Sequence, residues 1–295
     1  MVTLENYLDS AEVAEDLKEL IILISKQAPL IRNAFIENQS YAGTENKSGE
    51  VQAELDVWSD EHLINVLRKS SLVKELASEE QPDVLVFDNA KADYAVVMDP
   101  LDGSSLIQVN LCVGTIIGIY DNGKALNRGE ELTAAMYMLY GPMTVLVLTV
   151  GKGVYIFAMD KENRYKMLDG PVKMPEGNIY GSGALRREWT LKHKRFIEEI
   201  EENGGKLRYS GSFVADFHQI LKYGGVYCYP GTDKKPEGKL RLVFEANPIG
   251  FIAKQAGGAV SDGSNSLLTL TPEKADHKTP IYVGSAGLIN KLESM

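Results

Sequence analysis

An apolar run from Tyr94 to Met98 leads directly into Asp99-Pro100-Leu101-Asp102-Gly103-Ser104-Ser105, and this stretch restricts the chain more than any other. The run predicts a buried strand ending in a turn. Pro100 fixes its own φ and pushes Asp99 toward an extended backbone. Gly103 allows backbone angles that other residues resist. Such a turn aims Asp99, the Leu101 carbonyl and Asp102 at one point, and clustered oxygen ligands on a rigid turn suit a hard cation such as Mg²⁺. The N–H groups and hydroxyls of Gly103, Ser104 and Ser105 suit an anion. A metal site beside a phosphate site is therefore expected. The same residue types also make ordinary surface turns, so the reading depends on partners elsewhere in the chain.

The chain has 295 residues, enough for one large domain or two modest ones. Its formal net charge is −10 with no offsetting basic block, which argues against a nucleic-acid partner. An anionic substrate would need local positive charge, and bound cations could supply it. Met1 to Ser10 lacks the basic start and apolar run of a secretory leader, and no apolar stretch approaches the ~20 residues needed to span a bilayer. The two cysteines, Cys112 and Cys228, lie far apart in apolar surroundings with no zinc spacing. A cytoplasmic protein without a membrane partner is expected.

Helical spacing of Val13, Leu17, Leu20, Ile21 and Ile24 predicts a helix capped by Asp9 or Ser10 and interrupted at Pro29. Residues 40–50 read as a mobile loop, and Asp56, Ser59 and Asp60 as caps for a helix through Leu63, Ile64 and Leu67. Strand-like runs follow at Leu72–Ala77, Val84–Phe87, Val113–Tyr120, Ala134–Tyr140, Thr144–Val150 and Val154–Ala158. Gly151-Lys152-Gly153 reads as a hairpin turn. A boundary is expected around Gly170–Gly177. Beyond it come helices at Arg186–Glu202, Phe213–Tyr223 and Leu240–Ala256, and strands at Leu207–Tyr209, Val226–Tyr229 and Ile281–Val283. This mixture predicts an α/β fold of layered sheets flanked by helices.

The residues available for chemistry narrow the mechanism. None of His62, His193, His218 and His277 has a metal-ligand spacing, and Gly103-Ser104-Ser105 is no nucleophile elbow. The acidic set Glu50, Asp56, Glu79, Glu80, Asp99, Asp102 and Glu245 better suits a metal site with water as nucleophile. Glu245 lies in an apolar setting, out of place unless paired, metal-bound or set against a helix dipole. Basic residues for phosphate cluster late, at Arg208, Lys234, Lys235, Lys239 and Arg241.

With these residues in place, the chain resembles the class I fructose-1,6-bisphosphatases, within the wider lithium-sensitive, Mg²⁺-dependent sugar and inositol phosphatases. The run Asp99–Ser105 is the motif of the wider family. The narrower group is indicated by Gly49–Asp56, Ser78-Glu79-Glu80, Val113–Tyr120, Arg208–Ser212, Tyr223–Gly225, Tyr229-Pro230, Gly238–Leu242, Glu245–Pro248 and Ala256–Gly258. The likeness covers about residues 45–285. It implies an αβαβα sandwich in two sub-domains, residues 1–175 carrying most metal ligands and 176–295 the sugar and distal-phosphate contacts. It implies that Glu79, Asp99, the Leu101 carbonyl, Asp102 and Glu245 hold two or more Mg²⁺, with Mn²⁺ as an alternative. Glu80 and Asp56 would orient and deprotonate the attacking water, and Glu50 would lie on a loop closing over the site. Asp102, Gly103, Ser104 and Ser105 would take the 1-phosphate, and Tyr209, Tyr229 and Lys239 the sugar and 6-phosphate. Arg208 would reach a neighbouring subunit, implying a homo-oligomer, with a tetramer expected.

The chain departs from the family pattern where the sugar is read. An Asn and a Tyr usual for the 6-phosphate correspond to Gly183 and Arg186, and the Asn usual after the two serines is Leu106. Arg186 could grip phosphate with both arms of its guanidinium or simply start a helix. These changes also resemble sedoheptulose-1,7-bisphosphatases, so that activity, or a dual one, is the alternative. An inositol monophosphatase and a non-catalytic sensor of the same fold are further readings. The Lys and Arg of the animal AMP site correspond to Asp93 and Asp121, so inhibition through such a site is not expected.

Overall fold

A computed structural model describes residues 2–37, 41–45 and 51–295. Three short helices open the chain: α1 (Leu4–Ser10), α2 (Glu15–Ser25) and α3 (Ala28–Ala34). Strands β1 (Tyr41–Glu45) and β2 (Val51–Ala53) pair antiparallel, and α4 (Glu54–Ser70) follows. The next eight strands form one sheet: β3 (Val73–Ser78), β4 (Leu85–Val86), β5 (Tyr94–Asp102), β6 (Val113–Tyr120), β7 (Ala134–Tyr140), β8 (Thr144–Thr149), β9 (Tyr155–Met159) and β10 (Tyr165–Asp169). Their order is β10-β9-β8-β7-β6-β5-β3-β4, and β3 and β5 are the parallel pair. The second half holds β11 (Ile179–Ser182), α5 (Leu191–Glu202), β12 (Lys206–Leu207), α6 (Phe213–Tyr223) and β13 (Gly225–Tyr229). It closes with α7 (Asn247–Gln255), β14 (Gly258–Ser261), β15 (Ile281–Ser285) and α8 (Ala286–Ser294). Its five strands run in the order β12-β11-β13-β15-β14.

The side-chain alternation of the strands explains the layering. Along β5, Val96 and Met98 face a core built with Leu20, Ile24 and Leu63 of the first four helices, while Ala95 and Val97 face the opposite way. That second core contains Phe217 of α6 and Ile249 of α7, and on its far side Ile281 and Val283 of the smaller sheet. The smaller sheet's other face, with Val226 and Cys228, packs on Phe196 of α5 and Ile289 of α8. The layers are therefore helix, sheet, helix, sheet, helix, the α/β sandwich expected. Both faces of the large sheet are covered, so β5, β6 and β7 are buried at every residue.

Several local expectations are corrected. Asp9 and Ser10 do not cap a helix; they lie in the last turn of α1, which Thr3 caps through the Asn6 N–H, and α2 begins without a side-chain cap. Asp56, Ser59 and Asp60 lie inside α4 rather than at its cap, and all three are buried. The loop expected over 40–50 is in part strand β1, with residue 40 and residues 46–50 outside the described residues. Arg186 starts only a single 3₁₀ turn; α5 begins five residues later, capped by Thr190. Strand β5 does not stop at Met98. It continues to Asp102 with its register shifted between Asp99 and Asp102, because Pro100 cannot donate to the ladder.

Candidate active site

The turn that ends β5 is held from three sides. Asp99 Oδ1 accepts from the Leu101 N–H at 2.9 Å, which folds the proline segment onto itself. From β6, the Thr115 hydroxyl donates to the Pro100 carbonyl at 2.9 Å and meets Tyr140 Oη at 2.9 Å. From the other half of the chain comes α6. Asp102 Oδ2 accepts from Ser212 Oγ at 2.7 Å and from the Val214 N–H at 2.9 Å, so the carboxylate sits on the first turn of that helix. Gly103 makes this approach possible: its φ is +80°, and a Cβ there would lie 2.8 Å from Ser212 Cβ.

Glu245 reaches the same point by a different route. Residues Leu242–Ala246 form a wide π turn that runs straight into α7, so Asn247 is no cap and Pro248 sits in the first turn of α7. Glu245 Oε2 accepts from the Arg241 N–H at 2.6 Å. Asp99, Asp102 and Glu245 each bring a carboxylate oxygen to within 4.8 Å of the other two, and all three are buried. Burial, and then the charges of Glu79, Asp102 and Glu245, push the Asp99 carboxyl well above the usual range. Burial pushes Asp102 up to about 6 against the pull of its Ser212 and Val214 hydrogen bonds. Glu245 is likewise raised, first by burial and then by Glu79, with Arg241 opposing.

Arg241 is the one strongly buried arginine here, at 3% exposure, and its Nη1 lies 2.7 Å from Glu79 Oε1 and 4.0 Å from Glu245 Oε2. The sequence groups it with the cations for phosphate; the structure places it among the carboxylates instead. One guanidinium against Glu79, Asp99, Asp102 and Glu245 leaves the cluster short of positive charge. The donor set, all carboxylate and carbonyl oxygen, fits hard divalent cations.

These groups line one cleft of about 480 Å³. Asp56, Glu79, Glu80, Asp99, Leu101 and Asp102 come together in it with Gly103, Ser104, Ser105 and Glu245. Asp56 Oδ2 accepts from Ser104 Oγ at 3.0 Å, which ties α4 to the Gly103–Ser105 turn. Tyr209, Tyr229 and Lys239 line the same cleft. Arg186 and Arg208 are not among its lining residues. Arg186 is exposed, 4.0 Å from Glu201 and over the Trp189 ring; Arg208 is exposed and over the Tyr223 ring. Glu50 lies outside the described residues.

Sequence reasoning gives Ser212 and Thr115 no role of their own. Ser212 carries a legible signal, a serine just before an apolar helix. Gly183 is dictated by packing, since a Cβ there would lie 2.4 Å from the Tyr229 ring. Of the histidines, His193 is buried between Ser182 Oγ and Tyr282 Oη, and burial lowers it to about 3. His218 is lowered to about 4 by burial beside Tyr137.

Set against known proteins, residues 2–167 match the family model described as fructose-1-6-bisphosphatase, N-terminal domain, and residues 174–295 match the corresponding C-terminal domain. The chain is 56% identical over 296 residues to the class 1 fructose-1,6-bisphosphatase of Methanospirillum hungatei, covering 100% of this chain and 95% of that one. It is 57% identical over 295 residues to that of Methanocorpusculum labreanum, covering 100% and 92%. Among solved structures, the holo form of the Leishmania major fructose-1,6-bisphosphatase superposes with a TM-score of 0.92 at 30% identity, covering 100% of this chain and 99% of that one.

Proposed function

Since the chain belongs to the class 1 fructose-1,6-bisphosphatase family, we propose that it hydrolyses the 1-phosphate of fructose 1,6-bisphosphate, giving fructose 6-phosphate and inorganic phosphate, a gluconeogenic step. The observation that carries the reading is the trio Asp99, Asp102 and Glu245, buried within 4.8 Å of one another in a cleft that Tyr209, Tyr229 and Lys239 also line.

In this reading Glu79, Asp99, the Leu101 carbonyl, Asp102 and Glu245 hold the cations, Mg²⁺ foremost and Mn²⁺ acceptable. Bound there, two or more such ions would neutralise the phosphoryl oxygens and the leaving alkoxide and lower the pKa of water. The chain's own groups do the rest. Gly103, Ser104 and Ser105 donate to the 1-phosphate. Glu80 and Asp56, on two different elements, orient the attacking water and share the removal of its proton. Water adds to phosphorus as the bond from phosphorus to the C1 oxygen breaks, and that oxygen leaves with a proton.

Tyr209 and Tyr229 flank the sugar, and Lys239 pairs with the 6-phosphate. Residues 1–175 then supply most metal-holding groups, and residues 176–295 read the sugar. Arg208, exposed and outside its own cleft, serves a neighbouring copy, which makes the protein a homo-oligomer, a tetramer in this reading, in the cytoplasm. A seven-carbon bisphosphate is the alternative substrate, since the sequence departs from the family pattern at Gly183 and Arg186.

The test is phosphate release with Mg²⁺ from fructose 1,6-bisphosphate, sedoheptulose 1,7-bisphosphate and an inositol monophosphate, beside Asp102→Asn as control. Release from a sugar bisphosphate that the variant loses is the expected result. Release from none, or release from inositol monophosphate alone, overturns the reading.

A further inference from the structure

Glu79 and Glu80 occupy a two-residue corner at the end of β3, between Ser78 and Gln81, and both flanks of that corner are held by one residue outside the cleft lining. This is Asp60, on α4, one helical turn beyond Asp56. Asp60 is 1% exposed. Its Oδ1 accepts from Ser78 Oγ at 2.5 Å, and its Oδ2 accepts from Gln81 Nε2. Ser78 Oγ accepts in turn from the Glu80 N–H at 3.4 Å. Two backbone bonds complete the corner: the Glu79 N–H donates to the Met98 carbonyl at 3.1 Å, and the Gln81 N–H to the Ser78 carbonyl at 3.2 Å.

A buried carboxylate satisfied by two neutral donors is an expensive way merely to fasten a helix to a strand, since an apolar contact would do so without desolvating a charge. The two oxygens divide between the two sides of the acidic pair, one oxygen to each. The same face of α4 carries Asp56, bonded to Ser104. The helix thereby links the Glu79–Glu80 corner to the Gly103–Ser105 turn as one rigid piece. We propose that Asp60 is a positioning residue. It sets the angle at which Glu79 and Glu80 enter the cleft, and through Glu79 how well the site takes a divalent cation, through Glu80 how well the attacking water is held. This rests on the phosphatase reading for Glu80, but not for the cation.

The variants are Gln81→Met, Ser78→Ala, Asp60→Asn and Asp60→Ala. Mn²⁺ binding is read without substrate by electron paramagnetic resonance, and kcat and KM are read with fructose 1,6-bisphosphate and Mg²⁺. Removing a group that orients a ligand typically weakens metal binding or activity about tenfold or more. Gln81→Met should therefore weaken Mn²⁺ binding severalfold and lower kcat about tenfold while KM stays within about twofold. Asp60→Asn should retain part of what Asp60→Ala loses. Gln81→Met combined with Ser78→Ala should be no worse than Asp60→Ala, because all act on one corner. If Asp60→Ala does not fold, Gln81→Met and Asp60→Asn decide. Wild-type Mn²⁺ binding and kcat in those two, with only the melting temperature lowered, would overturn the proposal. A wild-type protein that binds Mn²⁺ but hydrolyses no sugar bisphosphate would overturn the phosphatase reading and leave the Mn²⁺ arm to judge Asp60.

Discussion

The two proposed parts of the cleft, a metal end and a sugar end, are built differently. At the metal end, Asp99, Asp102 and Glu245 are almost completely buried, each fixed by hydrogen bonds from the backbone or from Ser212. Their supports come from the end of β5, from the start of α6 and from the Arg241 N–H, so both halves of the chain must fold before the cluster exists. At the sugar end, Lys239 is exposed, Tyr209 is 43% exposed, and Arg186 and Arg208 stand outside the cleft altogether. A buried network is all-or-none, because removing one member leaves the others desolvated and unpaired. Exposed contacts act nearly independently, each with a modest share. On the proposed roles, the reaction type depends on groups where change is least tolerated, and substrate choice on exposed groups that can change one at a time.

That contrast can be broken by mutation, beginning at the metal end. Glu80→Gln keeps the shape of the site and removes a proton acceptor, so kcat should fall by about 10²–10⁴ with KM nearly unchanged. A fall below about fivefold would move the work to Asp56 alone. Lys239→Ala at the sugar end should raise KM for fructose 1,6-bisphosphate about 10-fold or more and change kcat far less, as expected for uniform binding to a remote phosphate. A kcat effect matching that of Glu80→Gln would erase the distinction between the two ends.

The pH dependence of stability separates the ends in another way. The Asp102 carboxyl sits at about 6 in the folded chain, against about 4 when unfolded. Between those values the native state binds more protons than the unfolded state. This group therefore lowers the stability of the metal-free protein as pH rises from about 4 to about 6. A cation held by the ionised carboxylates offsets that loss. The rise in melting temperature caused by Mg²⁺ should thus be large near pH 7.5 and shrink toward nothing near pH 5. His193 and His218, held neutral by burial at about 3 and about 4, work the other way: their stability is lost as pH falls below about 6.5. They cancel in the difference between metal-loaded and metal-free protein. A Mg²⁺ effect equal at both pH values would contradict the assignment of Asp102. The smallest effect is expected for Arg186→Ala, under about twofold in kcat/KM for an exposed side chain outside the cleft. A tenfold loss would bring Arg186 to the substrate.

How much of this was legible in the sequence followed from how local the information is. Asp99 to Ser105 is contiguous, with a proline and a glycine that dictate its backbone, so its ligand-like geometry could be read directly. Glu79 and Glu80, adjacent at a strand end, read by themselves as solvated and are singled out only by the family resemblance, whereas Glu245 stands out by its apolar neighbours. What escaped was set by the third dimension. Arg241 and Glu245 are four residues apart, yet only the π turn and the approach of β3 bring the guanidinium to Glu79. Asp60 looked like one of several caps because the start of α4 was placed too late; once the helix begins at Glu54, Asp56 and Asp60 fall on one face. Helix α1 was missed because its seven residues hold only one turn of pattern, Leu4, Tyr7 and Leu8, stabilised by packing rather than propensity.

The central claim is that Asp99, Asp102 and Glu245 form a cluster held together against its own charge so that a cation can enter. The most direct measurement is the melting temperature of Asp99→Asn beside the wild type, each in chelator and in Mg²⁺. Neutralising one buried charge of similar shape relieves repulsion and desolvation, so in chelator the variant should melt higher, by about 2 °C or more. In Mg²⁺ the wild type should gain stability and overtake it, while the variant gains little. A variant that melts lower than the wild type in chelator, or that gains as much from Mg²⁺, would contradict the account.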